Sequence, residues 1–332
     1  FNSFTAWSLF VIGSILNTII GIILFKILRL KGSRIKLFYN YLINYTTKGL
    51  YYLMLNIKKR YINPNKEDFK KPSVIICNHQ SHLDLIYNLS MHPKIIILTN
   101  DWVQNSKIYG SLVQMAEFFP VSEGYDSILP KLEEKVKLGY SILVYPEGTR
   151  STNYKMKRFH KGAFYIAEKL KLDILPIVMH GTGHCMTKGD DLLVKKTTVS
   201  VRFLDRITPD NKNYGDNYSE RAKKIGRYFR TIYNEMRWQL EDTRYYKDQL
   251  IKNYIYKGPV LEWYLKVKLK MENNYELFNS IVPRSGKIYD IGCGYGYLSY
   301  MLHFVSNDRT VIGIDYDCEK IAVANNCPSK ND

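Results

Sequence analysis

His79 and Asp84 lie close together in the segment Asn-His-Gln-Ser-His-Leu-Asp and could act as one catalytic unit. The apolar run 74–77 before them predicts a buried strand, and 83–87 predicts the opening of a helix. We therefore expect His79 at the carboxyl end of a strand. Five residues further on, the Asp84 carboxylate can fold back on the imidazole and fix its tautomer, which leaves the other ring nitrogen free to take a proton. Such a dyad needs no serine when the nucleophile is a hydroxyl of the substrate.

A second polar segment, Tyr-Pro-Glu-Gly-Thr-Arg-Ser over 145–151, places Glu147 63 residues after Asp84. Its Gly148 lets backbone amides approach a ligand closely. The planar guanidinium of Arg150 can make bidentate hydrogen bonds to a phosphate. The segment is therefore predicted to dock an anion, and a base combined with such a loop indicates acyl transfer.

These residues resemble the glycerolipid acyltransferase family, which includes the 1-acylglycerol-3-phosphate acyltransferases, over about residues 35–205. The resemblance implies that His79 is the base and Asp84 its orienting partner. It also implies that Glu147 and Arg150 hold the acceptor. The positions that match the first and third blocks of the family are Asn78, His79, Ser81, Asp84, Glu147, Gly148, Thr149 and Arg150. By this resemblance, all of them except the dyad are expected to bind substrate.

The other two blocks of the family fit less evenly. The fourth, an apolar strand that carries a proline, matches residues 174–178. The second has its glycine at Gly110 and its apolar strand at 118–121, but Ser122 and Glu123 stand where the family usually has an arginine that helps to hold the acceptor. This departure leaves open an acceptor other than lysophosphatidate, either another lipid or a pigment-type hydroxyl.

The amino-terminal segment predicts where the chemistry takes place. Residues 1–25 carry no charge, and an apolar helix over 4–28, at about 1.5 Å per residue, is long enough to cross the roughly 30 Å hydrocarbon core of a membrane. A secretory signal is the alternative, but the stretch is too long and no small-residue cleavage pattern follows it. Basic residues follow directly, and the first acidic residue is Glu67. A single-pass membrane protein with its catalytic domain on the cytoplasmic face is predicted.

Aromatic, aliphatic and basic residues alternate between 35 and 61 with no acid among them, which predicts interfacial helices on anionic lipid. Membrane contact also explains the net charge of +17 better than nucleic acid does, because no nucleic-acid recognition motif is present. Membrane lipids and an acyl donor are the expected partners. The five cysteines show no pairing or metal-binding spacing, so we predict a reducing compartment and no metal site.

The pattern of apolar runs, together with the resemblance, predicts an α/β fold. After the transmembrane helix, a domain over 35–218 is expected to begin with the interfacial helices and to contain an acyltransferase-type mixed sheet flanked by helices. A helical connector is expected over 219–282. Apolar residues at helical spacing predict one long amphipathic helix over 219–253.

The carboxyl-terminal segment carries a second motif. A strand over 287–291 runs into a glycine-rich turn, followed by a helix-like run at 298–304 and a second strand at 310–314. This order resembles the first motif of class I S-adenosylmethionine-dependent methyltransferases. The resemblance implies that the methionine and ribose of the cofactor lie against Asp290, Gly292, Gly294 and Gly296, and that Asp315 binds the ribose hydroxyls. A nicotinamide site is the alternative, but the Asp-x-Gly-Cys-Gly order argues against it.

Residues 283–332 are short for such a domain, which typically has about 100 to 150 residues. We expect an incomplete Rossmann-like βαβ unit, the truncated start of a methyltransferase in a longer polypeptide. S-adenosylmethionine is then expected to bind only to the intact parent.

The predicted reaction is O-acyl transfer from acyl-CoA or acyl carrier protein to a hydroxyl of a glycerol-phosphate-type lipid such as lysophosphatidate. His79 removes the hydroxyl proton, and neither a metal nor another cofactor is required. The alternative is a silent membrane-docking platform for the fused methyltransferase. The joint presence of His79, Asp84, Glu147 and Arg150 argues against this alternative.

Overall fold

The computed structural model describes residues 3–106, 110–151, 154–189, 192–272 and 274–329. The chain divides into two compact units, residues 1–233 and 234–332. The domain boundaries predicted at 218 and 282 stay predictions. Residues 330–332, the end of the predicted methyltransferase segment, lie outside the described residues.

The first unit combines helices with one sheet. Its helices among the described residues are α1 (Ser3–Ile22), α2 (Ser33–Leu53), α3 (Leu83–Met91), α4 (Asp101–Gln104), α5 (Gly110–Met115), α6 (Tyr125–Lys137), α7 (Gly162–Lys169), α8 (Thr182–Cys185) and α9 (Tyr218–Leu240), the last of which continues into the second unit. Its strands are β1 (Ile57–Ile62), β2 (Ser73–Cys77), β3 (Ile95–Thr99), β4 (Phe119–Pro120), β5 (Ser141–Val144), β6 (Asp173–His180) and β7 (Thr197–Phe203).

The seven described strands of this unit form a mixed sheet in the order β1-β7-β6-β2-β5-β3-β4. Every neighbouring pair is parallel except β6 and β7. All residues of β2, β3, β5 and β6 are buried, as expected for strands of a largely parallel sheet that is covered on both faces. The mixed α/β architecture predicted from the sequence is confirmed.

The centre of the sheet positions the two polar segments. Strands β2 and β5 are parallel neighbours, with Ile76 opposite Val144 near their carboxyl ends. Because both strands end at the same edge of the sheet, the segments that follow them, 78–82 and 145–151, start side by side.

The amino-terminal helix is long and apolar. Helix α1 continues through a π-helical turn, Ile23–Ile27, so that Ser3–Ile27 is long and apolar enough to cross a membrane. Its outer face exposes large apolar side chains, at Val11, Ile12, Ile15, Leu16, Ile19, Ile23 and Ile27. By length and composition, the span predicted over 4–28 has its counterpart in this helix.

Both ends of this long helix contact other parts of the first unit. Near the start, the Ser3 hydroxyl accepts a hydrogen bond from the Val194 backbone amide at 2.8 Å. Near the other end, the Phe25 ring meets the Tyr39 ring of α2 edge to face at 5.3 Å. Between them, buried Asn17 donates to the Thr46 hydroxyl at 2.9 Å, which gives this polar residue of an apolar helix a partner in α2.

Part of the predicted interfacial helical region is a strand. Helix α2 ends at Leu53, and residues Ile57–Ile62 form β1, which pairs in parallel with β7 at the edge of the sheet. The helical interpretation was wrong for 57–62 because the exposed Lys58 and Arg60 suit an edge strand, where cations discourage pairing with other chains. Helix α2 does expose aromatic side chains, and its membrane contact stays a prediction.

The second unit contains α10 (Lys247–Asn253), α11 (Pro259–Met271), α12 (Asn274–Ile281), β8 (Gly286–Ile291), α13 (Tyr297–Val305), β9 (Arg309–Ile314) and α14 (Cys318–Asn325). Strands β8 and β9 are parallel, with α13 between them in the chain. The strand, turn, helix and strand therefore occur in the predicted order. The wider Rossmann-like fold stays a prediction.

The single long helix predicted over 219–253 is wrong, because α9 ends at Leu240 and α10 begins at Lys247. Side-chain hydrogen bonds stabilise the intervening turn. Thr243 donates to Glu276 of α12 from both its backbone amide, at 3.2 Å, and its hydroxyl, at 2.7 Å. The Asp242 carboxylate accepts from the Tyr245 amide at 2.8 Å. Asp and Thr side chains commonly compete with helical hydrogen bonds in this way.

Candidate active site

The structure brings His79 and Asp84 together. His79 Nδ1 lies 3.0 Å from Asp84 Oδ2, and the same oxygen accepts backbone N–H bonds from Gln80 at 2.6 Å and Ser81 at 2.8 Å. Because this carboxylate oxygen is a hydrogen-bond acceptor for both amides, we assign it the same role toward the imidazole. Nδ1 of His79 then carries the proton, and Nε2 is available to accept one. Asp84 is fully buried, whereas the His79 side chain is 20% exposed.

The chain reaches this geometry through a tight turn into α3. The Ser81 hydroxyl oxygen accepts a hydrogen bond from the Leu83 amide at 3.3 Å, which closes the turn. Asp84 then lies in the first turn of α3, where the helix dipole favours a negative charge. Ser81 therefore shapes the turn from a buried position, and the substrate-binding role predicted for it stays a prediction.

An aromatic ring supports the imidazole. The Tyr145 ring stacks on His79 with 4.2 Å between ring centroids and 20° between their planes. Its hydroxyl accepts a hydrogen bond from Asn88 Nδ2 of α3 at 2.9 Å. Burial raises the pKa of Tyr145 well above its usual value, so the phenol stays neutral beside the dyad. The hydroxyl of Tyr145 thus adds a fixed point that a phenylalanine at this position would lack.

Asn78 joins two strands of the sheet. Its side-chain amide donates to the Met179 carbonyl at 2.8 Å and accepts from the Met179 amide at 2.8 Å. This pair of bonds continues the β2–β6 ladder by one rung, directly before His79. Asn78 is fully buried, so it positions the dyad from within the protein.

Glu147 is also turned inward. Its two carboxylate oxygens accept backbone N–H bonds, one from His79 at 2.9 Å and the other from Lys157 at 2.7 Å. The residue is 2% exposed, and burial raises the pKa of its carboxyl group, against the effect of the two amides. Glu147 therefore ties the histidine segment to the loop after β5. The acceptor-binding role predicted for it stays a prediction.

The remaining residues of the second segment face open space. Gly148, Thr149 and Arg150 line a cavity of about 920 Å³ that also contains the His79 side chain. Gly148 has a φ of 71°, in the left-handed region that favours glycine. The Ser151 amide donates to the His79 carbonyl at 3.0 Å and so fixes this loop against the histidine segment.

The cavity has an apolar wall and a basic one. Its apolar side chains come from α1 and from the sheet and its flanking helices, and include Ala6, Trp7, Phe10, Met54, Leu83, Ile86, Ile97, Val103, Val121 and Val194. Its basic side chains are Arg150, Arg158, Lys161 and Lys188. Such a space can hold a long apolar chain and an anionic group at the same time, with His79 exposed to both.

Sequence reasoning missed several of these residues. It gave His160 no role, but His160 lines the cavity, and its Cδ2 lies 3.2 Å from where a Cβ on Gly148 would stand. It also considered the acceptor-binding cation only at the position of Ser122 and Glu123, and neither residue is among the described residues that line the cavity. Arg158, Lys161 and Lys188 supply cations instead. The signal available in the sequence was the run of basic residues at 155–161.

The glycine-rich turn of the second unit lines a separate pocket of about 310 Å³. Asp290, Gly292 and Gly294 belong to its wall, whereas Gly296 and Asp315 do not. Gly296 instead precedes α13 with a φ of 77°. The Asp315 carboxylate accepts from the Gly294 amide at 2.6 Å and so holds the turn.

Comparison with known proteins identifies similar chains. Residues 56–180 match the family model described as Acyltransferase. The chain is 31% identical, over 39% of its length, to a chloroplastic 1-acyl-sn-glycerol-3-phosphate acyltransferase of Arabidopsis thaliana, of which the match covers 38%. It is 30% identical, over 43% of its length, to a 1-acyl-sn-glycerol-3-phosphate acyltransferase of Chlamydomonas reinhardtii, of which the match covers 44%. The chain thus spans about two fifths of the length of these relatives.

The fold also resembles a solved structure. The crystal structure of the 1-acyl-sn-glycerophosphate acyltransferase PlsC from Thermotoga maritima matches with a TM-score of 0.53 and 18% identity. The match covers 68% of this chain and 95% of that one. At this identity the likeness establishes the fold alone.

The inward position of Glu147 predicts the effect of an isosteric change. In Glu147→Gln the side-chain amide places N–H groups against a backbone N–H, so we expect a loss of about 1 to 3 kcal/mol in the free energy of unfolding. Urea unfolding of the purified protein measures this. Glu133→Gln is the matched control, because Glu133 is exposed and pairs with Lys137 on the same helix. Equal stability of the two variants would contradict the positioning role.

Proposed function

We propose that this protein is an O-acyltransferase that acylates lysophosphatidate or a closely similar lipid with one phosphate group. The observation that carries the proposal is the His79–Asp84 dyad, whose histidine lines a cavity together with apolar and basic side chains. The names of the relatives and the match over 56–180 support the same reaction.

In the proposed mechanism, Nε2 of His79 takes the proton of the acceptor hydroxyl as the oxygen attacks the carbonyl carbon of the acyl thioester. The tetrahedral intermediate collapses with cleavage of the carbon–sulfur bond, and the imidazolium returns its proton to the departing thiolate. Asp84 stabilises the imidazolium and holds its orientation. The products are the acylated lipid and a free thiol, so the protein ends unchanged.

Arg150 is the proposed ligand of the acceptor phosphate. Its guanidinium can bind two phosphate oxygens at once, and Lys188 lies beside it, with Nζ 3.2 Å from the Arg150 carbonyl and 3.4 Å from the Thr149 hydroxyl. These cations favour a phosphorylated acceptor over the pigment-type hydroxyl that Ser122 and Glu123 suggested. An oriented dyad in a roomy cavity also disfavours a silent platform.

We further propose that α1 attaches the protein to a membrane by lying along it, in place of the single-pass arrangement. In a full crossing, the two ends of α1 would lie on opposite sides of the bilayer. Here Ser3 binds the segment before β7, Trp7 and Phe10 line the cavity with His79, and Phe25 packs on α2. The exposed apolar face of α1 and the aromatic side chains of α2 suit burial among lipid headgroups and acyl chains.

For the second unit, we infer that the pocket at the glycine-rich turn is part of an S-adenosylmethionine site. Asp290, Gly292 and Gly294 line it, and Tyr264 and Tyr275 also belong to its wall. The sheet beside it exposes large apolar side chains, with Ile291 82% exposed and Tyr289 58% exposed. A parallel sheet is normally covered on both faces, and this one leaves apolar side chains in water. We therefore expect the pocket of this chain to bind S-adenosylmethionine weakly.

The acyl transfer proposal predicts that His79→Ala lowers turnover by about 10² to 10⁴ fold, because the general base is lost. Transfer of a radiolabelled acyl group to lysophosphatidate, in membranes that carry the protein, measures this. His303→Ala, in the second unit, is the control and should keep full activity. Thermal unfolding checks that both variants are folded. Undiminished turnover in His79→Ala would overturn the mechanism.

The attachment proposal predicts the side on which the amino terminus lies. Cleavable tags are placed before residue 1 and after residue 332, and sealed vesicles are treated with protease from outside. If α1 lies along the membrane, both tags are cut or both are protected in a given vesicle orientation. Cleavage of one tag alone, with the other cut only after detergent, would show a spanning helix.

The cofactor proposal predicts that S-adenosylmethionine binds weakly and that NAD does not bind. In calorimetric titration, Asp290→Asn should weaken binding of S-adenosylmethionine about tenfold or more, because a charged acceptor is removed from the pocket. Glu319→Gln, on the exposed face of α14, should leave binding unchanged. Binding of NAD instead, or equal affinity in Asp290→Asn, would contradict the assignment.

A further inference from the structure

A second, smaller groove of the first unit adjoins the active-site cavity. It has a volume of about 180 Å³ and lies between the loop 158–161 and the first half of α9. Three of its lining residues, Arg158, Phe159 and Lys161, also line the large cavity. The two spaces therefore meet at this loop.

One face of α9 forms the opposite wall of the groove. The α9 residues that line it recur at spacings of three and four, which places them on one side of the helix: Ser219, Ala222, Lys223, Gly226, Arg227 and Arg230. Because the face begins in the first turn of a 23-residue helix, the positive end of the helix dipole lies at the same end of the groove.

The loop is held firmly against this face. A Cβ on Gly226 would stand 3.2 Å from Cδ2 of Phe159, so the absence of a side chain at Gly226 lets the phenyl ring approach the helix. The same ring packs edge to face on Phe229, with 5.4 Å between centroids. Phe159 is buried, whereas Arg158 and Lys161 on either side of it are exposed. The packing of Phe159 thus positions two cations in the lining of the groove.

The groove is strongly cationic. Its charged lining residues are Arg158, Lys161, Lys223, Arg227 and Arg230, and no carboxylate is among the described residues that line it. None of these five side chains forms an ion pair within the described part of the chain, in contrast to Arg206, which binds Glu67 and Asp173. Cations gathered without acids repel one another, so their grouping favours the binding of an anion.

We propose that this groove binds the phosphate groups of a coenzyme A thioester, while the acyl carbonyl reaches His79 past the loop 158–161. This assignment rests on the proposed acyl transfer and names its donor. Three of the five cations are arginines, whose planar forks bind phosphate oxygens in pairs.

The position of the groove separates donor from acceptor. The phosphate of a lysophosphatidate lies close to its reacting hydroxyl, so its ligands must stand near His79, as Arg150 does in the large cavity. The phosphates of coenzyme A are distant from the thioester, which suits a groove that adjoins the cavity at the loop 158–161. A concave space of about 180 Å³ also fits phosphate groups better than the surface of an acidic carrier protein.

The test compares neighbouring lysines on α9. Lys223→Ala and Arg227→Ala should each weaken the binding of coenzyme A, measured by calorimetry on the full chain, about tenfold, because each removes a charged phosphate ligand. Lys224→Ala is the matched control, since Lys224 is exposed on the same helix but does not line the groove. In steady-state assays the two groove variants should raise the KM for acyl-CoA and leave the KM for lysophosphatidate unchanged, whereas Arg150→Lys should raise the KM for lysophosphatidate.

Three results would overturn the proposal. They are equal affinity for coenzyme A in the groove and control variants, a rise in the KM for lysophosphatidate alone, and use of acyl carrier protein as donor without measurable binding of coenzyme A. Failure of the proposed function is a separate result. His79→Ala should lose turnover and still bind coenzyme A, so undiminished turnover in that variant rejects the reaction and leaves the binding measurement to decide the groove.

Discussion

A single carboxylate oxygen, Oδ2 of Asp84, organises the active site. It accepts hydrogen bonds from the imidazole of His79 and from the amides of Gln80 and Ser81, so it closes the turn after β2 and also orients the imidazole. The Glu147 carboxylate then ties the His79 amide to the loop after β5. Loss of either carboxylate would therefore disturb the backbone that holds His79 in place.

Local spacing explains what the sequence could predict. The strand at 74–77, the helix opening at Leu83 and the dyad between them depend on neighbours in the chain, and the structure places all three as expected. The inward turn of Glu147 could not be predicted, because its partners, His79 and Lys157, lie on separate segments. Strand β1 and the break after Leu240 were missed for the same reason, since a partner strand and a contact with Glu276 decide them.

The basic side chains of the cavity come from segments of the chain other than the one where an arginine was expected. Ser122 and Glu123 occupy the place where an arginine was expected, but Arg158, Lys161 and Lys188 bring cations to the same cavity from other segments. Comparison of the motif alone shows that the expected arginine is absent, but it does not show that cations from other segments line the same cavity. Only the fold shows that the cavity keeps its positive charge.

The wall that α1 contributes to the cavity has a consequence for kinetics. Trp7 and Phe10 line the space that contains His79, while the opposite face of the same helix is apolar and exposed. If α1 lies along the membrane as proposed, the proposed lipid acceptor can enter the cavity sideways from the leaflet, without passing through water. The rate should depend on the mole fraction of acceptor in the surface, and dilution with inert lipid should slow the reaction even when the bulk concentration is constant.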